Sequence, residues 1–255
     1  MTARHLGNRW LVLFASCIGV AWVTAASEAA EGVGAPQQAS PAINRALMTF
    51  RIGASQWMSE LRYREILAML QKRKGVTDEL SLFTSTTCTP LPLEEIDRRC
   101  RVLGDRMRQA RALGYRAGIN VIATLGHLEE DLPHALSGYT HITDIDGNVC
   151  RGAFCPNDPR FREYIRGLYR RLAATSPDHI WIDDDDRVSS HSPVLCGCYC
   201  DHCLARFEQE SGVRHTRASL RALLTDGPAE QRLAARKAWL THNRATMERL
   251  FAVIE

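Results

Sequence analysis

The feature that most constrains this chain is an alternation of short apolar segments with stretches of helical period. Met48 to Ala54 is a short apolar segment, and after it Tyr63, Ile66, Leu67 and Leu70 recur at helical spacing. That stretch runs into Lys72, Arg73, Lys74 and Gly75, basic residues and then glycine, as helices commonly end. Leu80, Leu82 and Phe83 predict a second strand, closed by the Thr/Pro-rich loop from Thr84 to Pro92. Ile96, Cys100, Leu103, Met107 and Ala110 mark one face of a second helix, stopped at Gly114. Tyr115 to Ala123 has the near-continuous apolar run of a strand buried on both faces. Asn157 and Asp158 offer caps and Pro159 a first helical position, ahead of Phe161, Tyr164, Ile165, Leu168 and Leu172 on one stripe. Ile180, Trp181 and Ile182 predict the fourth strand. Strands separated by helices pair in parallel through right-handed crossovers, and such sheets carry their chemistry at the carboxyl ends of the strands.

Beyond Cys203 only helical pattern remains, through Leu240, Met247, Leu250, Phe251 and Ile254. Eight strands close a barrel of this kind, so four predict a partial TIM-type (β/α) barrel over residues 47–255, the first half of a longer fold. Its exposed first and fourth strands would be open edges, and a homo-oligomer is expected from them.

Ahead of this pattern the sequence changes character. Arg4 and Arg9 precede an apolar run from Trp10 to Val23, then small residues, which reads as a secretory signal peptide over residues 1–29 with cleavage after Ala25 or Ala29. The run is shorter than the roughly 20 apolar residues a bilayer requires, so no stable membrane span is expected. Residues 30–46 read as a Gly/Pro/Gln/Ala-rich linker. The alternative is that translation starts at Met48 and the protein is cytoplasmic rather than secreted or periplasmic. With 32 basic against 29 acidic side chains, a net charge of +3 gives no single-signed field, which argues against a nucleic-acid partner.

Of the nine cysteines, Cys198, Cys200 and Cys203 form C-x-C-x-x-C, which lets several thiolates converge on one tetrahedral zinc about 2.3 Å from each sulfur. Cys196 and Cys155 are the candidates for the fourth ligand, and Cys155 is favoured because a remote ligand ties two loops together. Disulfide pairing is the alternative, against which cysteines two apart are poorly placed to bridge each other. Cys100 lies on the apolar stripe of its helix, and Cys88 and Cys150 have no evident partner.

Asp146-Gly147, Arg151, the run from Phe154-Cys155-Pro156-Asn157 to Glu163, the strand Ile180-Trp181-Ile182-Asp183, then Cys198-Tyr199-Cys200-Asp201-His202-Cys203 and Phe207, together resemble glycoside hydrolase family 42, the β-galactosidases. The likeness covers roughly Arg51 to Phe207 and is specific from Asp146 onward. It implies a structural zinc on Cys155, Cys198, Cys200 and Cys203, which have no open position left for water. It further implies a carbohydrate substrate, with Arg151 and Asp184 as sugar contacts and Asp185 as general acid/base. The family pattern at the end of the fourth strand is Asp-Asn-Glu, whereas Asp183-Asp184-Asp185 stand here, one methylene shorter at the acid/base and carrying a charge where the family has an amide. The family's nucleophile is a Glu on the seventh strand, which this chain does not supply.

The residues themselves allow the same chemistry. Asp183, Asp184, Asp185 and Asp186 follow the fourth strand, and mutual repulsion among them can raise one pKa towards that of an acid catalyst. His127 after the third strand and Trp57 near the end of the first are candidates for sugar contact, with packing as the alternative for each. His191 and His202 flank the cysteines, and Glu208 and Glu210 read as solvated. Two other readings remain: a noncatalytic carbohydrate-binding half barrel with the zinc loop, and a hydrolase whose Asp cluster holds magnesium or calcium.

Overall fold

The structure is a computed structural model that describes residues 46–127, 129–183 and 186–255. The chain divides into Met1–Ala42 and Ile43–Glu255, and every described residue belongs to the second unit. The signal-peptide reading and nearly all of the linker lie outside the described residues. Among those described, no helix is long and apolar enough to cross a membrane.

The elements run β1 Thr49–Ile52, α1 Ala54–Trp57, α2 Glu60–Lys72, β2 Glu79–Phe83, α3 Leu93–Ala112 and β3 Arg116–Val121. A hairpin of β4 His141–Thr143 and β5 Val149–Phe154 precedes α4 Pro159–Ala173 and β6 Ile180–Ile182. A second hairpin, β7 Ser189–His191 and β8 Val194–Cys196, leads to α5 Asp201–Ser211, α6 Arg217–Thr225 and α7 Ala229–Ile254. Strands β1, β2, β3 and β6 form one parallel sheet in that order, as the alternation predicts.

Burial explains which strands are central. In β3 every residue after Arg116 is buried, and in β2 every residue but Phe83, so both faces of these strands are covered. The outer strands are half covered, with Trp181 of β6 44% exposed and Phe50 of β1 37% exposed. Ile96, Leu103, Met107 and Ala110 of α3, and Phe161, Ile165, Leu168 and Leu172 of α4, pack into the same core as Leu80, Leu82, Ile119 and Val121. Helix α4 starts as its sequence indicates: the Asp158 side chain accepts from the Arg160 N–H at 2.9 Å and Pro159 takes the first turn.

Two glycines mark where backbone geometry leaves no alternative. Gly126 has φ of +85°, and a Cβ there would fall 2.0 Å from the Gly152 carbonyl oxygen, because the loop after β3 presses against β5. Gly114 has φ of +89° with nothing nearby, so a side chain there meets only the left-handed penalty. Gly126→Ala is therefore expected to lower the denaturant midpoint further than Gly114→Ala. The penalty common to both is about 1–2 kcal/mol, and only Gly126→Ala adds a clash with backbone.

Candidate metal centre and strand-end site

Cys155 is brought to the C-x-C-x-x-C segment by the first hairpin. The Phe154 N–H bonds to the Leu125 carbonyl at 2.8 Å and the Cys155 N–H to the Thr140 carbonyl at 2.7 Å, which fixes the end of β5 beside the loop after β3. From the other side, the Tyr199 N–H donates to the Thr143 carbonyl at 2.6 Å, drawing the C-x-C-x-x-C segment onto β4. The ligand atoms of Cys155, Cys198, Cys200 and Cys203 then lie within 4.8 Å of one another, all four residues buried. Cys155 Sγ is 3.4 Å from both Cys203 Sγ and Cys200 Sγ. A disulfide needs about 2.05 Å, whereas four sulfurs about 2.3 Å from one ion stand roughly 3.8 Å apart. Cys155, Cys198, Cys200 and Cys203 form no disulfide. Four buried thiols gathered in this way can hold a metal ion.

Hydrogen-bond donors reach two of the sulfurs. The Asn157 N–H points at Cys155 Sγ at 3.3 Å, and the Asn157 side-chain amide reaches Cys203 Sγ at 3.4 Å and Thr246 Oγ1 of α7 at 3.1 Å. Hydrogen bonds from Cys155, Cys200 and Cys203 draw Cys198 well below the usual thiol range, while burial pushes Cys155 well above it. Burial disfavours charge on the four sulfurs, and a divalent ion held by them would offset that cost. Packing around the thiols is aromatic: Tyr199 stacks on Trp239 at 4.4 Å, and Phe207 meets the Trp239 edge at 5.0 Å.

Cys196 is exposed and stands outside the group. His191 is fully buried, with Nδ1 3.2 Å from the His127 carbonyl and Nε2 2.5 Å from the Arg187 carbonyl, so it is engaged in the second hairpin. His202 Nε2 lies 4.0 Å from Asp158. Glu210, read from sequence as solvated, instead accepts from His242 Nδ1 at 2.6 Å and pairs with Arg249 at 3.0 Å, bridging α5 to α7.

At the carboxyl ends of the sheet the described residues hold a polar cluster. Asp183 Oδ2 accepts from Arg51 Nη2 at 2.5 Å and from Asn120 Nδ2 at 2.8 Å, joining β1, β3 and the end of β6. The Arg51 guanidinium also lies over the Phe83 ring at 4.5 Å. Asn120 is fully buried and its Oδ1 has no partner. Sequence reasoning missed Arg51 and Asn120, although Asn120 is a lone amide in an apolar strand. Asp184 and Asp185, which carry the expected sugar contact and proton transfer, lie outside the described residues.

The other expected contacts are spread out. Arg151 is clasped by Glu129, its Nη2 2.7 Å from Oε2 and its Nε 3.2 Å from Oε1, and its side chain is 65% exposed. His127 Nε2 faces Arg187 Nη2 at 3.1 Å, and its ring meets His191 edge-on at 5.3 Å. Trp57 sits in α1 with its ring fully buried and its Nε1–H donated to the Phe83 carbonyl at 2.9 Å, the packing alternative rather than an open platform.

Below the sheet mouth, Glu95 ties α3 to the end of β2. The Arg98 and Arg99 side chains donate to its carboxylate, and Arg99 also reaches the Thr84 carbonyl at 2.5 Å. The Arg98 hydrogen bond, with that of Arg99, pulls the Glu95 carboxyl from 4.5 down to about 2. A depressed carboxylate contributes stability that is fully present above its unfolded value and lost as pH falls through its folded value. Melting temperature is expected to decline between about pH 4.5 and pH 2, and Glu95→Gln to flatten that part of the profile.

Scanned against protein-family models the chain matches none, and a search of curated proteins finds no match.

Proposed function

We propose that the four cysteines hold a structural zinc ion and that the chain is a carbohydrate-active half barrel of the glycoside hydrolase family 42 kind, acting on β-galactoside-type sugars. The observation that carries this reading is the meeting of Cys155 with Cys198, Cys200 and Cys203, the ligand set the resemblance implies. A parallel sheet with a polar cluster at its carboxyl ends supports it further, since sites in such sheets form there. Asp185 is the proposed general acid/base, donating its proton to the leaving oxygen. A second carboxylate, which the family carries on its seventh strand and which must come from outside this sequence, attacks the anomeric carbon and is later released by water. Asp184 and Arg151 hold sugar hydroxyls. Asp183, bound to Arg51 and Asn120, anchors the chain two residues before the proposed acid/base. Zinc braces the loops and takes no part in bond cleavage.

The experiment is turnover and binding of β-galactosides by the full chain and by Asp185→Asn, with zinc content measured on the same samples. Hydrolysis lost in the variant while binding and zinc are kept supports the enzyme reading. Binding without turnover in either protein replaces it with the noncatalytic carbohydrate-binding reading, and absence of both excludes a carbohydrate function.

A further inference from the structure

A cleft of about 800 Å³ opens between the segment from Asp186 to Ser189, the stretch from Leu195 to Tyr199, and helices α6 and α7. Its lining includes Asp186, Leu195 of β8, Gly197 just after that strand, and Arg236, Leu240 and Asn243 from α7. Leu195 is 66% exposed and Leu240 65% exposed, so the cleft offers apolar walls to solvent. Polar groups are set among them. A Cβ on Gly197 would lie 3.1 Å from Asn243 Nδ2 and 3.5 Å from Trp239 Nε1, which places both nitrogens at this wall. Trp239 is 3% exposed, and its Nε1–H has no acceptor. The neighbouring Tyr199 ring lies 12° from parallel to the indole, a poor geometry for a hydrogen bond between phenol and indole N–H.

The charge of the cleft is one-sided. Four arginines, Arg187, Arg221, Arg236 and Arg244, line it against the single carboxylate of Asp186. Arg221 is paired with Asp146 and Arg244 with Glu248. Arg236 donates Nε to the Leu224 carbonyl at 2.9 Å, and no carboxylate pairs with it among the described residues. Its guanidinium keeps donors for an anion. Apolar walls suit the C–H faces of a sugar ring, amide and indole N–H groups suit its hydroxyl oxygens, and an arginine without a carboxylate suits an acid group on it.

We propose that this cleft is a subsite for an acidic sugar unit, whose carboxylate meets Arg236 and whose hydroxyls meet Asn243 and the Trp239 N–H. The inference rests on the carbohydrate reading and names the substrate class for it: a chain bearing uronic-acid units, one of which sits in this cleft.

Equilibrium binding of a galacturonic acid trimer and a neutral galactose trimer to the full chain tests this, with Arg236→Gln as the variant. Arg236 is exposed on α7, and its replacement is checked by an unchanged melting curve. The acidic trimer is expected to bind about tenfold more tightly than the neutral one, and Arg236→Gln to abolish that difference without affecting the neutral trimer. Equal binding of the two trimers, or acidic binding indifferent to Arg236→Gln, overturns the acidic subsite and leaves the carbohydrate reading standing. If neither trimer binds, the subsite and the carbohydrate reading fall together.

Discussion

Replacing Cys155 with serine is expected to abolish stoichiometric metal retention and to lower the melting temperature in zinc-loaded protein. Cys155 is the one member of the group supplied from outside the Cys198–Cys203 segment, and its sulfur lies 3.4 Å from those of Cys200 and Cys203. Serine keeps the size and the backbone while removing the soft, ionisable ligand, so packing changes little and the metal loses a quarter of its donors. At least a 100-fold loss in affinity, about 2.7 kcal/mol, is expected, and this loss subtracts from folding because the ion binds the folded state. Cys196→Ser is the control, since Cys196 is exposed and outside the group, and it should retain metal at wild-type stoichiometry. Metal analysis by mass spectrometry with parallel melting decides the matter. Retention in Cys155→Ser would remove the proposed zinc site and with it the kinship inferred from it.

Asp185→Asn is expected to cut hydrolysis of an alkyl β-galactoside by about 10²–10⁴, the range over which a positioned acid/base contributes. The amide is nearly the shape of the carboxyl group but has no proton to give to the leaving oxygen. A nitrophenyl galactoside, whose leaving group departs without protonation, should fall much less, and this contrast separates loss of proton transfer from general damage to the site. Binding should be largely kept. An equal fall for both substrates would assign Asp185 a packing or positioning role instead.

The parallel sheet is legible in the sequence because apolar residues mark its inner strands, Leu80, Leu82 and Phe83 in β2 and Ala117, Ile119 and Val121 in β3, even though Glu79, Ser81 and Asn120 are buried among them. The long helices are legible too, since α4 repeats its apolar residues at helical period and begins with Asp158 and Pro159. Strands β4, β7 and β8, three residues each, are too short for a period to register. The C-x-C-x-x-C segment offers three candidate ligands by spacing, whereas the approach of Cys155 depends on a hairpin that pairs backbone groups and leaves no side-chain pattern. The pairing of Arg51 and Asn120 with Asp183 escapes the sequence for a related reason: they meet it only because β1, β3 and β6 share one sheet, and Arg51 is 132 residues from its partner. Trp57 marks the opposite error, since an aromatic near a strand end suggests a sugar platform and the ring instead fills the core.

The route of the chain between the thiols has its own consequence. Cys155 and Cys200 are 45 residues apart, and the segment between them contains all of α4, β6 and β7–β8. Tying its ends closes a ring, and by chain entropy a cross-link over that length is worth about 4 kcal/mol, chiefly by shrinking what the unfolded segment can explore. The end of β6 lies inside that ring, so a metal held by these four thiols would restrain the strand end from both sides of the sequence.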